Sequence, residues 1–251
     1  MNSRNFIASL LAVGIAAMAC AGCSNAPGYP RQSEEVLRPE QVLDFQTLYK
    51  SNCAGCHGEN GRNGAALSLN NPSYLAVAGM DTLRTSIAKG VGGTLMPPFA
   101  KSSGGMLTDQ QVNVLSQGIL QTWSRPAQFT SVTLPAYING PSGDAGNGQK
   151  LFVAACARCH GTDGMGLKSG DKTMAANRYA VADPDYLALV NDQTLRSFIL
   201  GGRPDEGMPD WQKYLSGSQG RALTSQEITD IVAWVASHRI QGTNEPVQKH
   251  P

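Results

Sequence analysis

The sequence predicts an all-α protein built from two tandem copies of one domain. Residues 48–58 align with residues 151–161 at a constant offset of 103, and later stretches align at offsets of 112 and then 116. Each copy has helix-start signals and apolar residues spaced three and four apart, and no alternating run of strand length occurs. The same elements in the same order, twice, indicate a duplicated helical domain.

Capping residues mark the helix starts in both copies. A polar cap followed by proline, a favoured helix entry, occurs at Asn71-Pro72 and Asp183-Pro184. The last helix of each copy begins at a capping box, Thr108 with Gln111 and Thr224 with Glu227. Beyond these boxes, the apolar residues expected to share one buried face are Val112, Leu115 and Ile119, then Ile228, Ile231 and Val235. An amphipathic first helix is expected from Val42 to Tyr49.

Composition divides the chain into six segments. They are a signal peptide at 1–23, a polar tether at 24–39, a first domain at 40–124, a proline- and glycine-rich linker at 125–146, a second domain at 147–240 and a tail at 241–251. Arg4 precedes an apolar run that is too short to favour a spanning helix and is typical of a secretory signal. We therefore expect export to the periplasmic side of a bacterial envelope.

The end of the signal segment is similar to a bacterial lipoprotein box. Cys23 follows Ala21-Gly22 and precedes Ser24, so it is the candidate for lipidation, with Cys20 as the poorer alternative. Ordinary signal cleavage or an uncleaved anchor helix are the other interpretations. Lipidation at Cys23 predicts a membrane-tethered protein.

The charge balance argues against nucleic acid as a partner. The chain has 20 basic and 19 acidic residues and a formal charge of +1, which gives no reason to expect a polyanion. With 28 glycines and only 6% aromatic residues, the chain suits domains whose cores are completed by a bound cofactor.

Each copy of the repeat carries one Cys-x-x-Cys-His motif, the attachment signature for c-type heme. The two thiols add to the porphyrin vinyl groups and the adjacent histidine binds the iron. A thioredoxin-like pair would need a βαβ setting, and a split zinc site would need the two motifs to converge. We therefore predict two covalently bound hemes c, attached at Cys53, Cys56, Cys156 and Cys159, with His57 and His160 as proximal iron ligands.

Methionine is the expected second ligand of each iron. The two histidines outside the motifs, His238 and His250, both lie near the C-terminus and cannot serve both hemes. Met96 and Met208 occupy equivalent places in the repeat, and each precedes a proline that holds its loop extended. The remaining candidates, expected to be ordinary core or surface residues, are Met80, Met106, Met165 and Met174.

On these motifs both halves resemble the class I c-type cytochromes, and the whole chain resembles a diheme member. The resemblance implies that the first and last helices of each domain cross near a glycine and an aromatic residue. The second half conforms, with Gly148, Phe152 and Trp234. In the first half Phe45 replaces the glycine and Gly118 replaces the tryptophan, so we expect a volume-conserving exchange in which Phe45 lies over Gly118.

The resemblance implies an electron carrier rather than an enzyme. No nucleophile elbow, phosphate loop or metalloprotease motif occurs in the sequence, and no small-molecule substrate is expected. The favoured function is electron transfer between respiratory redox proteins by an exported, membrane-tethered diheme cytochrome. Alternatives are a cytochrome subunit of a membrane dehydrogenase or oxidase complex, and a diheme peroxidase in which one heme lacks its methionine. Trp123 and Trp211 are expected at packing or heme-edge positions, and the longer second-copy loop, 165–179, at a partner-facing surface.

Overall fold

The computed structural model describes residues 37–140, 142–167, 179–213 and 221–240. The predicted signal peptide with Cys23, most of the tether, the tail, Met174 and most of the loop 165–179 lie outside these residues. Both copies of the repeat lie in one compact unit, which begins at Val42. Over the described part of the chain the secondary structure is helical without strands, which confirms the all-α prediction. None of the described helices is both long and apolar enough to cross a membrane.

The two copies present the same series of helices. The first copy contains α1 (Phe45–Asn52), α2 (Ala54–His57), α3 (Pro72–Lys89) and α4 (Asp109–Trp123). The second contains α5 (Ala145–Ala155), α6 (Ala157–His160), α7 (Pro184–Leu189), α8 (Asp192–Gly201) and α9 (Ser225–Ala236). Helix α3 is interrupted at Gly79, which has φ 68°. The equivalent Asn191 separates α7 from α8 as a helix cap.

The predicted caps are confirmed, whereas the start of the first helix is corrected. Asn71 and Asp183 accept main-chain N–H groups at the starts of α3 and α7, and both capping boxes are complete. Helix α1 begins at Phe45 rather than at Val42, because the Asp44 carboxylate caps it by accepting the Thr47 N–H at 2.7 Å. A side-chain cap therefore takes precedence over the apolar pattern that precedes it.

The first and last helices cross in each copy. The glycine at the crossing lies on the last helix in the first copy and on the first helix in the second copy. Helix α5 packs on α9, where a Cβ placed on Gly148 would lie 1.9 Å from the Asp230 carbonyl oxygen and 3.0 Å from the Trp234 Cβ. Helix α1 packs on α4, where a Cβ on Gly118 would lie 2.2 Å from the Phe45 ring. The predicted exchange of Phe45 and Gly118 is therefore confirmed.

Each copy has its own hydrophobic core, to which the predicted helix faces contribute. All six apolar residues predicted on the last helices are buried: Val112, Leu115, Ile119, Ile228, Ile231 and Val235. Trp123 joins the first core, where its ring meets those of Phe45 and Tyr49 edge-on. Tyr137, within the linker, packs against both cores. The two domains are thus separate cores joined by a packed connection.

The second half of the linker is held on α9 by a buried arginine. Arg196 has no exposed surface and donates hydrogen bonds to the Ala136 carbonyl oxygen at 2.7 and 3.0 Å. It also donates to the Ser225 carbonyl and hydroxyl and to the Thr229 hydroxyl. Burial lowers the pKa of Arg196, but the group stays charged at neutral pH. The guanidinium therefore fixes the linker through neutral oxygen acceptors.

Candidate heme sites

Each Cys-x-x-Cys-His motif forms a short helix directly after the first helix of its copy. Cys53 ends α1 and caps α2, and Cys156 does the same between α5 and α6. Gly58 and Gly161 follow the histidines with positive φ, 81° and 72°, and ψ of 154° and 157°, a conformation that only glycine adopts readily. A Cβ on Gly58 would lie 1.7 Å from the Arg62 carbonyl oxygen, so the chain turns away from the motif only because glycine follows it.

Both motif histidines are fixed through the same ring nitrogen. The His57 Nδ1 lies 2.7 Å from the Leu67 carbonyl oxygen, and the His160 Nδ1 lies 2.6 Å from that of Tyr179. A main-chain carbonyl requires Nδ1 to carry the proton, which leaves Nε2 as a free lone pair. Burial lowers the pKa of both histidines, so the neutral rings needed for iron binding prevail at neutral pH.

The four motif cysteines form no disulfide with one another and differ in burial. Cys56 and Cys159 are exposed, whereas Cys53 is partly buried and Cys156 is buried. Burial, and to a smaller extent the charge of the other motif cysteine, raises the pKa of Cys53 and of Cys156 to about 12. Within the described residues, which include all four thiols, no group of three or more His, Cys, Asp or Glu side chains could hold a metal ion. That observation disfavours the split zinc site.

Met96 and Met208 stand in loops of the same construction. Val91 N–H donates to the Met96 carbonyl oxygen at 3.1 Å, and the equivalent Arg203 N–H donates to that of Met208 at 3.0 Å. Both methionines are partly buried and pack against the core of their own domain, on which Cys53 or Cys156 also packs. By contrast, Met80 and Met106 are 38% and 82% exposed. The structure therefore groups each predicted ligand with its own motif cysteine.

A glycine with positive φ closes each methionine loop. Gly90 and Gly202 have φ of 70° and 65° and end α3 and α8. A Cβ on Gly90 would lie 2.7 Å from the Met96 carbonyl oxygen, and one on Gly202 would lie 2.4 Å from that of Pro209. These glycines were not predicted as site residues, although their repetition six positions before each methionine was a usable signal.

We expect Gly202→Ala to destabilise the second domain more than Gly207→Ala. Both glycines have positive φ, but Gly207 (ψ 6°) is in the αL region, where alanine costs about 1–2 kcal/mol, whereas Gly202 (ψ −170°) is in a region essentially restricted to glycine. Only Gly202 also faces backbone, because a Cβ on Gly207 has nothing within 4 Å. Denaturant unfolding of the heme-loaded protein measures the difference, and equal losses would contradict backbone closure at Gly202.

Two buried donors in the second domain fit an acidic group of a bound cofactor. The Trp211 Nε1 and Arg203 Nε atoms are buried and have no hydrogen-bond partner among the described residues. Unpaired buried donors are rare and indicate a missing acceptor. The carboxylates of a porphyrin are acceptors of the required charge, so the residues present fit a heme. Trp211, which is 2% exposed, therefore packs in the second core and also has an N–H that could bond to the heme.

Comparison with protein families agrees with this geometry. Residues 40–117 match the family model described as cytochrome c oxidase, cbb3-type, subunit III, and residues 145–239 match the model described as cytochrome c. The chain belongs to the diheme c-type cytochromes. The tandem domains confirm the prediction of two covalently bound hemes c, at the cysteine pairs 53/56 and 156/159. The assignment of the iron ligands stays a prediction.

Relatives of this diheme cytochrome are named as oxidase subunits. It is 31% identical over 143 residues to the cbb3-type cytochrome c oxidase subunit FixPc of Rhizobium leguminosarum bv. viciae, covering 53% of this chain and 44% of that one. It is 28% identical over 198 residues to subunit CcoP of Rhodobacter capsulatus, covering 76% and 60%. The chain thus spans about half the length of these relatives.

A solved structure also aligns with the diheme cytochrome. A chain of the Kuenenia stuttgartiensis reducing HAO-like protein complex Kustc0457/Kustc0458 is 19% identical and aligns over 82% of this chain and 100% of its own. The TM-score is 0.45, a value too low to support an argument.

Proposed function

We propose that this diheme cytochrome passes single electrons between protein partners of a respiratory chain, as a subunit of a cbb3-type oxidase complex. One observation carries the proposal: both motif histidines present Nε2 while a main-chain carbonyl holds Nδ1. The same arrangement in both domains supports electron transfer through two hemes, one in each domain. The names of the relatives support an oxidase complex as its setting.

The residues of each domain have complementary roles in this function. When bound, heme supplies a one-electron couple between ferric and ferrous iron. His57 and His160 would each supply a nitrogen ligand to an iron, and Met96 and Met208 would each supply a sulfur ligand. The four cysteines would hold the porphyrins through thioether bonds, and Arg203 with Trp211 would bind an acidic group of the second heme. Histidines pinned by carbonyls keep their orientation when the charge of the site changes, which keeps rearrangement small.

Export and a lipid anchor at Cys23 complete the proposal. The anchor holds the two domains at the periplasmic side of a bacterial membrane, where the partners are redox proteins rather than nucleic acid or a small substrate. An oxidase subunit should co-purify with the oxidase after gentle extraction of native membranes, and its hemes should be reduced before oxygen is consumed. A lone tethered shuttle purifies without the oxidase, and a protein without heme contradicts both functions.

We expect Met96→Leu and Met208→Leu each to convert one of the two hemes from methionine-ligated to open or water-ligated iron. The loss of the sulfur ligand also lowers the reduction potential of that heme. Magnetic circular dichroism and redox titration measure both effects. Met106→Leu is the matched control for Met96→Leu, because Met106 also lies in the first domain and is 82% exposed.

The peroxidase alternative predicts a different outcome for the same variants. A diheme peroxidase would already have one iron without methionine in the unmodified protein, so one of the two substitutions would leave the spectrum unchanged. Two independent changes support the electron carrier. A single change, together with peroxide-dependent oxidation of the reduced protein, would favour the enzyme.

A further inference from the structure

The loop that carries Met208 docks on the first domain just after that domain's heme-attachment motif. Asp205, in the short turn Pro204–Glu206, accepts a hydrogen bond from the Asn63 main-chain N–H at 3.0 Å through its Oδ2. The same oxygen accepts from the Ser68 hydroxyl at 3.4 Å. One carboxylate of the second domain thus holds two points of the first.

The contact at Ser68 leads directly to the proximal histidine of the first site. Ser68 is 1% exposed and follows Leu67, whose carbonyl oxygen fixes the His57 Nδ1 at 2.7 Å. On the other side, Asp205 stands three residues before Met208, inside a loop that Arg203 and Met208 close with two main-chain hydrogen bonds of 3.0 Å. The hydrogen bond between Ser68 and Asp205 therefore links the main chain that fixes His57 to the loop that carries Met208.

Further hydrogen bonds hold the loop along its length. Asn71 Nδ2 donates to the Gly201 carbonyl oxygen at 2.8 Å, and the Ser73 hydroxyl donates to the Asp210 carboxylate at 2.6 Å. Arg203 Nη2 donates to the Gly64 carbonyl oxygen at 3.1 Å. The loop is therefore hydrogen-bonded to the first domain at both ends and at its turn. We call this contact, residues 201–210 against 63–73, the seam. It is a packed, polar contact in which small displacements lose several bonds together.

The seam is asymmetric. In the repeat, Gly93 occupies the position equivalent to Asp205, so the first domain's methionine loop has no carboxylate there. That loop meets the second domain through the Gly92 carbonyl oxygen, which accepts from Asn191 Nδ2 at 2.5 Å. The negative charge at the seam therefore stands only on the second domain and faces the histidine support of the first.

We propose that Asp205 is a positioning residue that couples the two heme sites for electron transfer across the seam. The proposal rests on the electron-carrier function above. One electron leaves ferrous iron at one site and reduces ferric iron at the other, no bond is formed or broken, and external redox proteins supply and remove the electron. Asp205 fixes the seam geometry, and its charge lowers the reduction potential of the first heme relative to a neutral residue.

Two variants of Asp205 separate its charge from its hydrogen bonds. Asp205→Ala removes both, whereas Asp205→Asn removes the charge and keeps an oxygen that accepts from Asn63 and Ser68. Asp81→Asn is the matched control, because Asp81 is an exposed carboxylate of the first domain that lies outside the seam. All are made in the full, heme-loaded chain.

Three measurements are required: hydrogen exchange of the Asn63 amide, redox titration of each heme, and the rate of electron redistribution after flash photoreduction. For Asp205→Ala we expect about tenfold faster Asn63 exchange, because the amide loses its hydrogen-bond acceptor. We also expect a higher first-heme potential and slower redistribution. Asp205→Asn should raise the potential while nearly preserving exchange, and Asp81→Asn should leave exchange and redistribution unchanged.

The outcomes distinguish this inference from the function on which it rests. If Asp205→Ala speeds Asn63 exchange but leaves the potential and the redistribution rate unchanged, Asp205 only packs the seam and the inference is wrong. If the unmodified chain binds fewer than two hemes or cannot be reduced reversibly, the electron-carrier function fails instead. Assignment of the two redox waves uses Met96→Leu, which shifts that of the first heme.

Discussion

Arg196→Met should destabilise the second domain by about 3 kcal/mol, because hydrogen bonds to a charged donor contribute about 1.5–3 kcal/mol each and are not additive. The substitution keeps the length of the side chain but removes both guanidinium donors of the Ala136 carbonyl oxygen, whereas the Ser225 carbonyl keeps the Thr229 hydroxyl as a donor. Denaturant unfolding followed by circular dichroism measures the loss. Release of the linker should also increase hydrogen exchange around residue 136.

Arg84→Met is the matched control for this prediction. Arg84 is the repeat equivalent of Arg196, within the same Thr-Leu-Arg triplet, but it is exposed. Exposed substitutions of this kind change the free energy of unfolding by about 0.5 kcal/mol or less. Similar losses for the two variants would show that the hydrogen bonds of Arg196 contribute little, and the linker would then be held by its apolar contacts.

Gly148→Ala should destabilise the second domain by about 3 kcal/mol, at the upper end for overpacking, because the new Cβ meets main chain that cannot rotate away. It would lie 1.9 Å from the Asp230 carbonyl oxygen, so α5 and α9 must separate. Gly146→Ala in the same helix is the control, since Gly146 is exposed and its Cβ would lie 3.3 Å from one Asp144 carboxylate oxygen. That variant should gain about 0.5–1 kcal/mol from helix propensity. A loss of equal size in both would contradict the close crossing.

The crossing in the first domain should respond differently. A Cβ on Gly118 meets the ring of Phe45 at 2.2 Å, which is a side chain and can be removed. We therefore expect Gly118→Ala to be partly rescued by Phe45→Ala in a double-mutant cycle, with a coupling energy of at least about 1 kcal/mol. Additive losses in that cycle would mean that the two residues do not share one volume.

Features encoded by neighbouring residues were predictable from the sequence. The capping boxes, the proline entries and the Cys-x-x-Cys-His turns depend on residues within four positions of each other, and the structure contains each of them. The exchange of Phe45 and Gly118 was predictable because the second copy provides an internal reference for the first. Repetition thus supplied information that a single domain would not have contained.

Features that depend on main-chain atoms or on the contact between domains were not predictable. The carbonyl groups of Leu67 and Tyr179 support the histidines from 10 and 19 residues away, and any residue type can provide a carbonyl. Arg84 and Arg196 stand in identical triplets, yet only the second is covered by the linker. The role of Asp205 depends on a contact with residues 142 and 137 positions away. Pattern and composition do not report such distances.

The packed half of the linker has a consequence for exchanging or isolating the second domain. The Ser142 carbonyl oxygen accepts from Gln226 Nε2, and the Asp144 N–H donates to the Asp230 carboxylate. The described linker residues from Ala136 onward are therefore packed on α9. A fragment starting at α5 would lack the Ala136 carbonyl that accepts from Arg196 and would expose the surface of α9 on which Gly143 packs. The transferable module therefore begins by Val132, which packs against the second core, and cleavage or insertion of foreign sequence is best tolerated upstream of that residue.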